Sequence, residues 1–365
     1  MTIENNNNDI VENITPAEGT VNADDLLNKI EQFISDHAIL PKGGSSAIAL
    51  WCLASYNINN FRIFPRLAVI SPEKRCGKST VLDLIEAFSY KPLITSNMTP
   101  ASIFRIINSY QPTLIMDEAD TFVAGGSNEI RGIINSGHAK AKAFVTRCSG
   151  ESHDVVRYST WTPMVLASIG DLPSTIMDRS IIIPIKRKAQ DEKVKRIDVD
   201  LSDKSLIFRQ KLLKWSLDNS TGIKNNPVTP SLGNGNDRGI DNWLPLFTIA
   251  NQVSEVWLDK CKVAYGLLNT CDAEPELSTL LLADISEIFN NHTDTKIPSA
   301  DLVTQLIKDQ DKPWCEYKGG KPLTQNKLAG MLKTYGIKSK VIRYRDKTPR
   351  GYELDQFDDS FKRYI

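Results

Sequence analysis

Gly77-Lys78-Ser79 closes a ten-residue stretch, SPEKRCGKST, that runs from Ser71 to Thr80. Its residue types suit a phosphorylated ligand. The Lys78 ammonium can reach β- and γ-phosphates, and the Ser79 hydroxyl can hold Mg²⁺. Asp117-Glu118 stands 39 residues beyond Lys78. Asp117 would hold the metal directly or through water, and Glu118 would orient and polarise an attacking water. Ser71, Pro72, Glu73, Lys74, Arg75, Cys76, Gly77 and Thr80 complete the expected nucleotide loop. One position departs from the usual spacing. The glycine expected six residues before the lysine is Pro72. Proline fixes φ and supplies no N–H, so the first turn of this loop must differ from the usual one.

These side chains need particular elements to position them. Leu67, Ala68, Val69 and Ile70 form an apolar run that ends just before the loop. Val81, Leu82, Leu84, Ile85 and Phe88 follow it with helical spacing. Strand, loop and helix are the context a phosphate loop requires. A helix N-terminus there favours an anion. Residues 92–96 (PLITS) read as a short strand, and Thr99-Pro100 opens a helix with proline at its first position. Thr113 to Met116 is a strand that ends in Asp117-Glu118. The compact spacing matches an additional-strand ATPase core. The letters DEAD at 117–120 do not make a superfamily 2 helicase, because the chain is too short for two such motors and lacks their other motifs.

Downstream, residues 128–135 read as a helix. AKAFVTRC (141–148) and VVRYSTW (155–161) flank a polar turn and read as a hairpin. Met164 to Ala167 is a buried strand that ends at Ser168, and Arg179 precedes the isoleucine run Ile181 to Ile183. An Asp178–Arg179 surface pair is the plain alternative to any catalytic use of that arginine. Residues 186–196 read as a charged connector, 201–218 as a helix and 219–240 as a loop. Residues 242–258 read as a helix with Arg238 at its foot. Residues 277–310 read as helical. From Lys312 to Arg350 there are eleven basic and two acidic residues. There a helix over 323–337 precedes a short hairpin, VIRYR to YEL, which is a winged-helix outline. Its basic side chains, among them Lys340, Arg343 and Arg345, suit nucleic-acid phosphates.

The 365 residues suggest two or three domains, and 44 basic and 44 acidic residues cancel. Net charge therefore points to no partner. Six scattered cysteines show no zinc spacing. The start of the chain lacks an apolar leader, and no stretch reaches the length of a membrane span. A soluble cytoplasmic protein is expected. The expected division is a disordered tail (1–22), a helical prefix (23–62), an ATPase core (63–188), a helical lid (189–275) and a basic winged-helix-like domain (276–365).

SPEKRCGKST, TPASIFRIINSYQPTLIMDEAD, NEIRGIINSGH, LPSTIMDRSI and DNWLPLFTIA together resemble an uncharacterised ATPase family. It is a domain of unknown function found alone, or behind primase-like regions, in phages, plasmids and genomic islands. It is similar to the hexameric superfamily 3 helicases within AAA+. The resemblance covers about residues 24–260, and the Ser-Pro-Glu start of the loop also occurs in that family. It implies an α/β AAA+ type core with a parallel sheet, ATP and Mg²⁺ as ligands, and a homo-oligomer, probably hexameric, acting on single-stranded or forked DNA. It further implies replication of a mobile element, with any primase on a separate chain. By the same resemblance the hairpin would face a central channel. His153, Lys140, Lys142 and Arg147 would then contact DNA. Ser168 would sense the γ-phosphate, Arg179 would reach a neighbour's nucleotide, and Arg238 would act as a second sensor.

Overall fold

The structure is a computed structural model. It describes residues 10–96, 98–123, 128–149, 154–197, 201–229, 237–269, 277–292, 294–309, 312–317 and 321–365. The chain forms two compact units, Met1–Cys271 and Asp272–Ile365.

Unit 1 begins with α1 (Ala23–His37) and α2 (Gly44–Ser55), both at the boundaries their periodicity suggests. Then follow β1 (Arg66–Ser71), α3 (Lys78–Phe88), β2 (Pro92–Thr95), α4 (Pro100–Tyr110), β3 (Thr113–Met116), α5 (Ala119–Val123) and α6 (Asn128–Ser136). Next come β4 (Phe144–Ser149), β5 (Asp154–Ser159), β6 (Met164–Ile169), α7 (Ser174–Met177) and β7 (Ser180–Pro184). Three long helices end the unit: α8 (Leu201–Asn225), α9 (Asp237–Val253) and α10 (Glu255–Leu268).

Five strands among the described residues pair in parallel in the order β2-β3-β6-β1-β7. β6 therefore lies between the strand that leads into the Lys78 loop and the strand that ends at Asp117. This is the added strand of the expected ATPase core, and the fold is α/β of AAA+ type. Successive side chains of a strand point to opposite faces, and the strands are apolar on both. Leu67, Val69, Val165, Ala167, Ile181 and Ile183 pack on one face under α1–α3 and α8–α10. Ala68, Leu114, Met116, Met164 and Leu166 pack on the other under α4 and α6. Sheets buried on both faces in this way are typical of parallel α/β folds.

The helices placed before and after the ATPase core in the sequence reading share one hydrophobic core, with Trp51, Trp215, Trp243 and Trp257 in it. Prefix, core and lid thus form one compact unit. The tail reading of residues 1–22 needs correction where residues are described. Val11 is buried, Glu12 pairs with Arg209 at 2.7 Å, and Ala17 N–H donates to Gln210 O at 3.0 Å. The expected helix over 242–258 is two helices. Ser254 is extended and caps α10 by accepting from Trp257 N–H, although the apolar period runs on through it.

Unit 2 runs α11 (Leu277–Asn290), β8 (Lys296–Pro298), α12 (Ser299–Lys308), α13 (Gln325–Lys333), β9 (Lys340–Val341), β10 (Arg350–Glu353) and α14 (Asp358–Tyr364). β10 pairs antiparallel with both β8 and β9. Helix, strand, two helices and a hairpin that closes on the first strand is the winged-helix order. The core gathers Leu281, Ile285, Leu302, Leu328, Leu332, Tyr352 and Phe357. Asp284 is buried beneath it and is satisfied by Trp314 Nε1–H at 2.6 Å and by Lys312. The single helical stretch expected over 277–310 is divided by β8, whose partner lies more than fifty residues away in the chain.

Candidate functional site

In a parallel sheet the segments that follow the strands meet at one edge. The loop after β1, the Asp117-Glu118 turn after β3 and Ser168 near the end of β6 all lie at that carboxyl edge of the sheet. Gly77 caps α3 with φ +85°, a left-handed value that glycine adopts at little cost. No side chain caps α3, so its first-turn N–H groups are left for an anion. Glu73, Lys74, Arg75 and Ser79 are exposed, and Lys78 and Thr80 are half-buried. The loop is braced from within: Ser71 Oγ donates to Glu73 O at 3.0 Å, and Cys76 Sγ contacts Lys74 O at 3.9 Å. Arg75 is left-handed at φ +66°. With Pro72 unable to donate, the turn is made further along the loop.

Asp117 ends β3 with its N–H on Thr95 O at 3.0 Å, and its Oδ1 accepts from Glu118 N–H at 2.9 Å. Glu118 is exposed and left-handed at φ +56°. A non-glycine residue there costs roughly 1 kcal/mol or more and persists where surrounding structure holds it. Asp83 stands one helical turn beyond Ser79. Burial and then the charge of Asp117 push its carboxyl above the usual carboxylate range. A hydroxyl with two carboxylates near it is an all-oxygen donor set that suits Mg²⁺. The residues therefore fit an Mg²⁺-nucleotide. Ser79 and Asp117 would hold the metal, and the metal would neutralise charge on the phosphates. The sequence reading missed Asp83; its spacing of four from Ser79 was the available signal.

Ser168 is buried, and its hydroxyl donates to Gly170 O at 2.8 Å. Its one hydrogen is thus used within its own turn, so it is not set to donate to a phosphate without turning.

Arg179 and Arg238 lie at the opposite edge. β7 begins at Ser180, opposite Arg66 at the start of β1. Arg179 donates from Nη1 to Thr175 O at 2.6 Å. Asp178 pairs with Arg238 of α9, not with Arg179. Arg238 therefore cannot serve as a sensor at the loop of its own chain. Its side chain is tied beside the start of β7, across the sheet from Lys78.

A buried network holds this edge. Arg66 is fully buried, with Nη1 donating to Thr162 O at 2.9 Å and Nη2 to Ile134 O at 2.8 Å. Burial, then the charge of Arg179, pushes it down to about 9. Gly137 is required beside it, because a Cβ there would meet Thr160 O and the Arg66 guanidinium. His138 Nε2 is 2.7 Å from Asn242 Oδ1, and Asn242 Nδ2 donates to Asp178 O at 3.1 Å. The Asn242 amide so orients the imidazole as an Nε2–H donor.

The hairpin is present as β4–β5, in register from Phe144↔Ser159 to Ser149↔Asp154. Lys140 Nζ donates to Asn59 O at 2.7 Å, and Lys142 is exposed. Arg147 is not turned outward. It pairs with Glu129 and lies 5.2 Å from the Phe104 ring, so it fastens the hairpin to its neighbours. Thr146, Cys148, Val155 and Arg157 form the exposed face, with Val155 74% exposed. The sequence reading passed over Val155 and Arg157, which strand alternation would have placed together. His153 lies outside the described residues.

In unit 2, Arg343 and Arg345 are exposed on the wing between β9 and β10. Arg345 lies 5.4 Å from the Tyr344 ring. Lys340 is engaged: Glu353 accepts from it at 2.6 Å and from Lys296 at 2.8 Å. These hydrogen bonds hold Glu353 below and Lys340 above their ordinary values.

The fold defines an AAA+ type P-loop core followed by a winged helix. A family model described as "Protein of unknown function (DUF3631)" matches residues 184–364. That match spans the helices after β7 and unit 2, whereas the resemblance drawn from the motifs spans about 24–260. No curated protein matches. Among solved structures, the chain is similar to the apo C-terminal region of NrS-1, at 12% identity and a TM-score of 0.47. That match covers 93% of this chain and 77% of the other. A second apo structure of that region (305–718) gives 14% identity, the same coverages and a TM-score of 0.43. A full-length MCM homolog from Methanopyrus kandleri gives 9% identity, 71% and 63% coverage, and a TM-score of 0.42. These likenesses carry no activity to this chain. No helix of the described residues is long and apolar enough to cross a membrane.

Proposed function

We propose that this chain is an Mg²⁺-dependent ATPase that assembles into a ring and unwinds or moves along DNA, in the manner of the superfamily 3 helicases, for replication of a mobile element. The observation that carries this reading is the separation of Lys78 and Arg179 by the full length of β1. Six residues of strand span roughly 17–20 Å. Arg179 is of no use to its own chain's nucleotide and is well placed for a neighbour's. Three arginines, Arg66, Arg179 and Arg238, share that edge around a neutral imidazole, an electropositive place for a partner's phosphates.

In this reading the α3 N-terminus and Lys78 bind the phosphates, and Glu118 accepts a proton from the attacking water. Arg179 of the next copy steadies charge as the bond breaks, an effect worth roughly 10³–10⁵ in rate for related NTPases. The hairpin and the wing hold DNA. A hexamer is the expected assembly, and a primase would be a separate chain.

A second reading is a nucleotide-switched DNA-binding regulator that never translocates. The engagement of Arg147 by Glu129 favours it, since a hairpin fastened to its own subunit is less suited to moving DNA. Sizing the protein with and without ATP and forked DNA, then assaying strand displacement on the same sample, separates the two. A ring that displaces strands, and a Lys78→Ala protein that does not, supports the motor. A DNA-bound oligomer that hydrolyses ATP without displacement would leave only the switch.

A further inference from the structure

α13 buries Leu328 and Leu332 and leaves Asn326, Lys327, Gly330, Lys333 and Thr334 exposed. At 3.6 residues per turn, Asn326, Gly330, Lys333 and Thr334 share one face. Gly330 is at its middle. Glycine is a poor residue for a helix interior, and alanine is the best one. Nothing inside the molecule asks for glycine at this position. Its φ is not left-handed, and an added Cβ would meet no atom within 4 Å. Gly132 and Gly266 are equally open, but neither stands between an asparagine and a lysine beside a basic hairpin. A bare position on an exposed helix lets another surface come close to the backbone.

The chemistry around it says which surface. Between Gln325 and Arg350 there are eight basic residues and one acidic one, Asp346. All nine are exposed. The B-DNA major groove, about 12 Å wide, admits a helix, and an asparagine amide can pair with both N6 and N7 of adenine. The A-form RNA major groove is too narrow for this.

We propose that α13 enters the major groove of duplex DNA, with Gly330 at the closest approach, Asn326 on a base edge, and Arg343, Arg345 and Lys347 on the flanking phosphates. This rests on the reading of unit 2 as a DNA-binding module and deepens it. The partner is intact duplex with sequence preference, in addition to any single strand held elsewhere.

The test uses full-length Gly330→Ala and Gly330→Leu proteins beside an Arg343→Ala/Arg345→Ala protein. Thermal melting of each is measured, with binding by fluorescence anisotropy to duplex DNA, single-stranded DNA and duplex RNA. Gly330→Ala is expected to melt no lower than the parent, yet to bind duplex DNA roughly tenfold more weakly, with Gly330→Leu weaker still. Single-strand affinity is expected to stay the same, and duplex RNA to bind weakly throughout. The proposal is overturned if both Gly330 variants keep parental duplex affinity while the wing variant loses it. It is overturned equally if the parent prefers duplex RNA. If neither Gly330 nor wing variants weaken binding, the reading of unit 2 as a DNA module falls with it.

Discussion

His138 shows how one residue can report on the edge where Arg179 sits. Burial, with the nearby charges of Arg66, Arg179 and Arg238, pushes its imidazole down to about 4 against the opposing bond to Asn242. Unfolded, it titrates near 6.5. Between those values the unfolded chain binds the extra proton, so stability rises with pH through the window. The contribution is fully present above about 6.5 and is lost as pH falls towards 4. A difference of 6.5 minus 4 corresponds to about 3 kcal/mol. Melting temperatures of the parent are expected to fall steeply from pH 7 to 4.5, and those of a His138→Gln protein to fall less. An unchanged slope in the variant would mean that His138 is not the buried neutral group described. Nothing in the sequence marks this residue. Its environment is made by Arg66, Asn242 and Asp178, each from a different element.

The β4–β5 hairpin shows what changes between a motif and a folded element. Its existence is legible, because two β-forming runs flank a polar turn. Its working face is not. Alternation places Arg147 inward against Phe104 and Glu129 and leaves Arg157 outward with Val155. A Lys142→Ala/Arg157→Ala protein is expected to lose strand displacement at least tenfold while ATP binding stays intact. Arg147→Ala is expected mainly to lower the melting temperature. If Arg147→Ala alone abolishes displacement in a protein that melts normally, the outward face has been assigned to the wrong side chains. Similar limits apply elsewhere. The strands β1, β3 and β6 and the helices α3 and α4 follow directly from apolar runs, the Thr99 cap and Pro100. The break at Ser254 is hidden because Leu246, Ile249, Val253 and Trp257 keep the helical period across it. β8 is hidden because three residues with a distant partner leave no local pattern. The direction of the Ser168 hydroxyl and the partner of Arg238 depend on which edge of the sheet each occupies, and no local pattern carries that.

At the scale of the whole molecule, the account depends on a division of labour between copies. The carboxyl edge of the sheet carries Lys78, Ser79, Asp117 and Glu118, and the opposite edge carries Arg179. One chain folded alone holds both halves of a site and can join neither to the other. The most direct measurement mixes two inactive proteins, Glu118→Gln and Arg179→Ala, and follows ATP turnover as their ratio is varied. In a mixed assembly, an intact Glu118 on one copy can meet an intact Arg179 on the next. The account predicts that turnover, nearly absent in each protein alone, returns on mixing and peaks near equal amounts. Full turnover by Arg179→Ala alone, or no recovery in assemblies shown to contain both proteins, would contradict it.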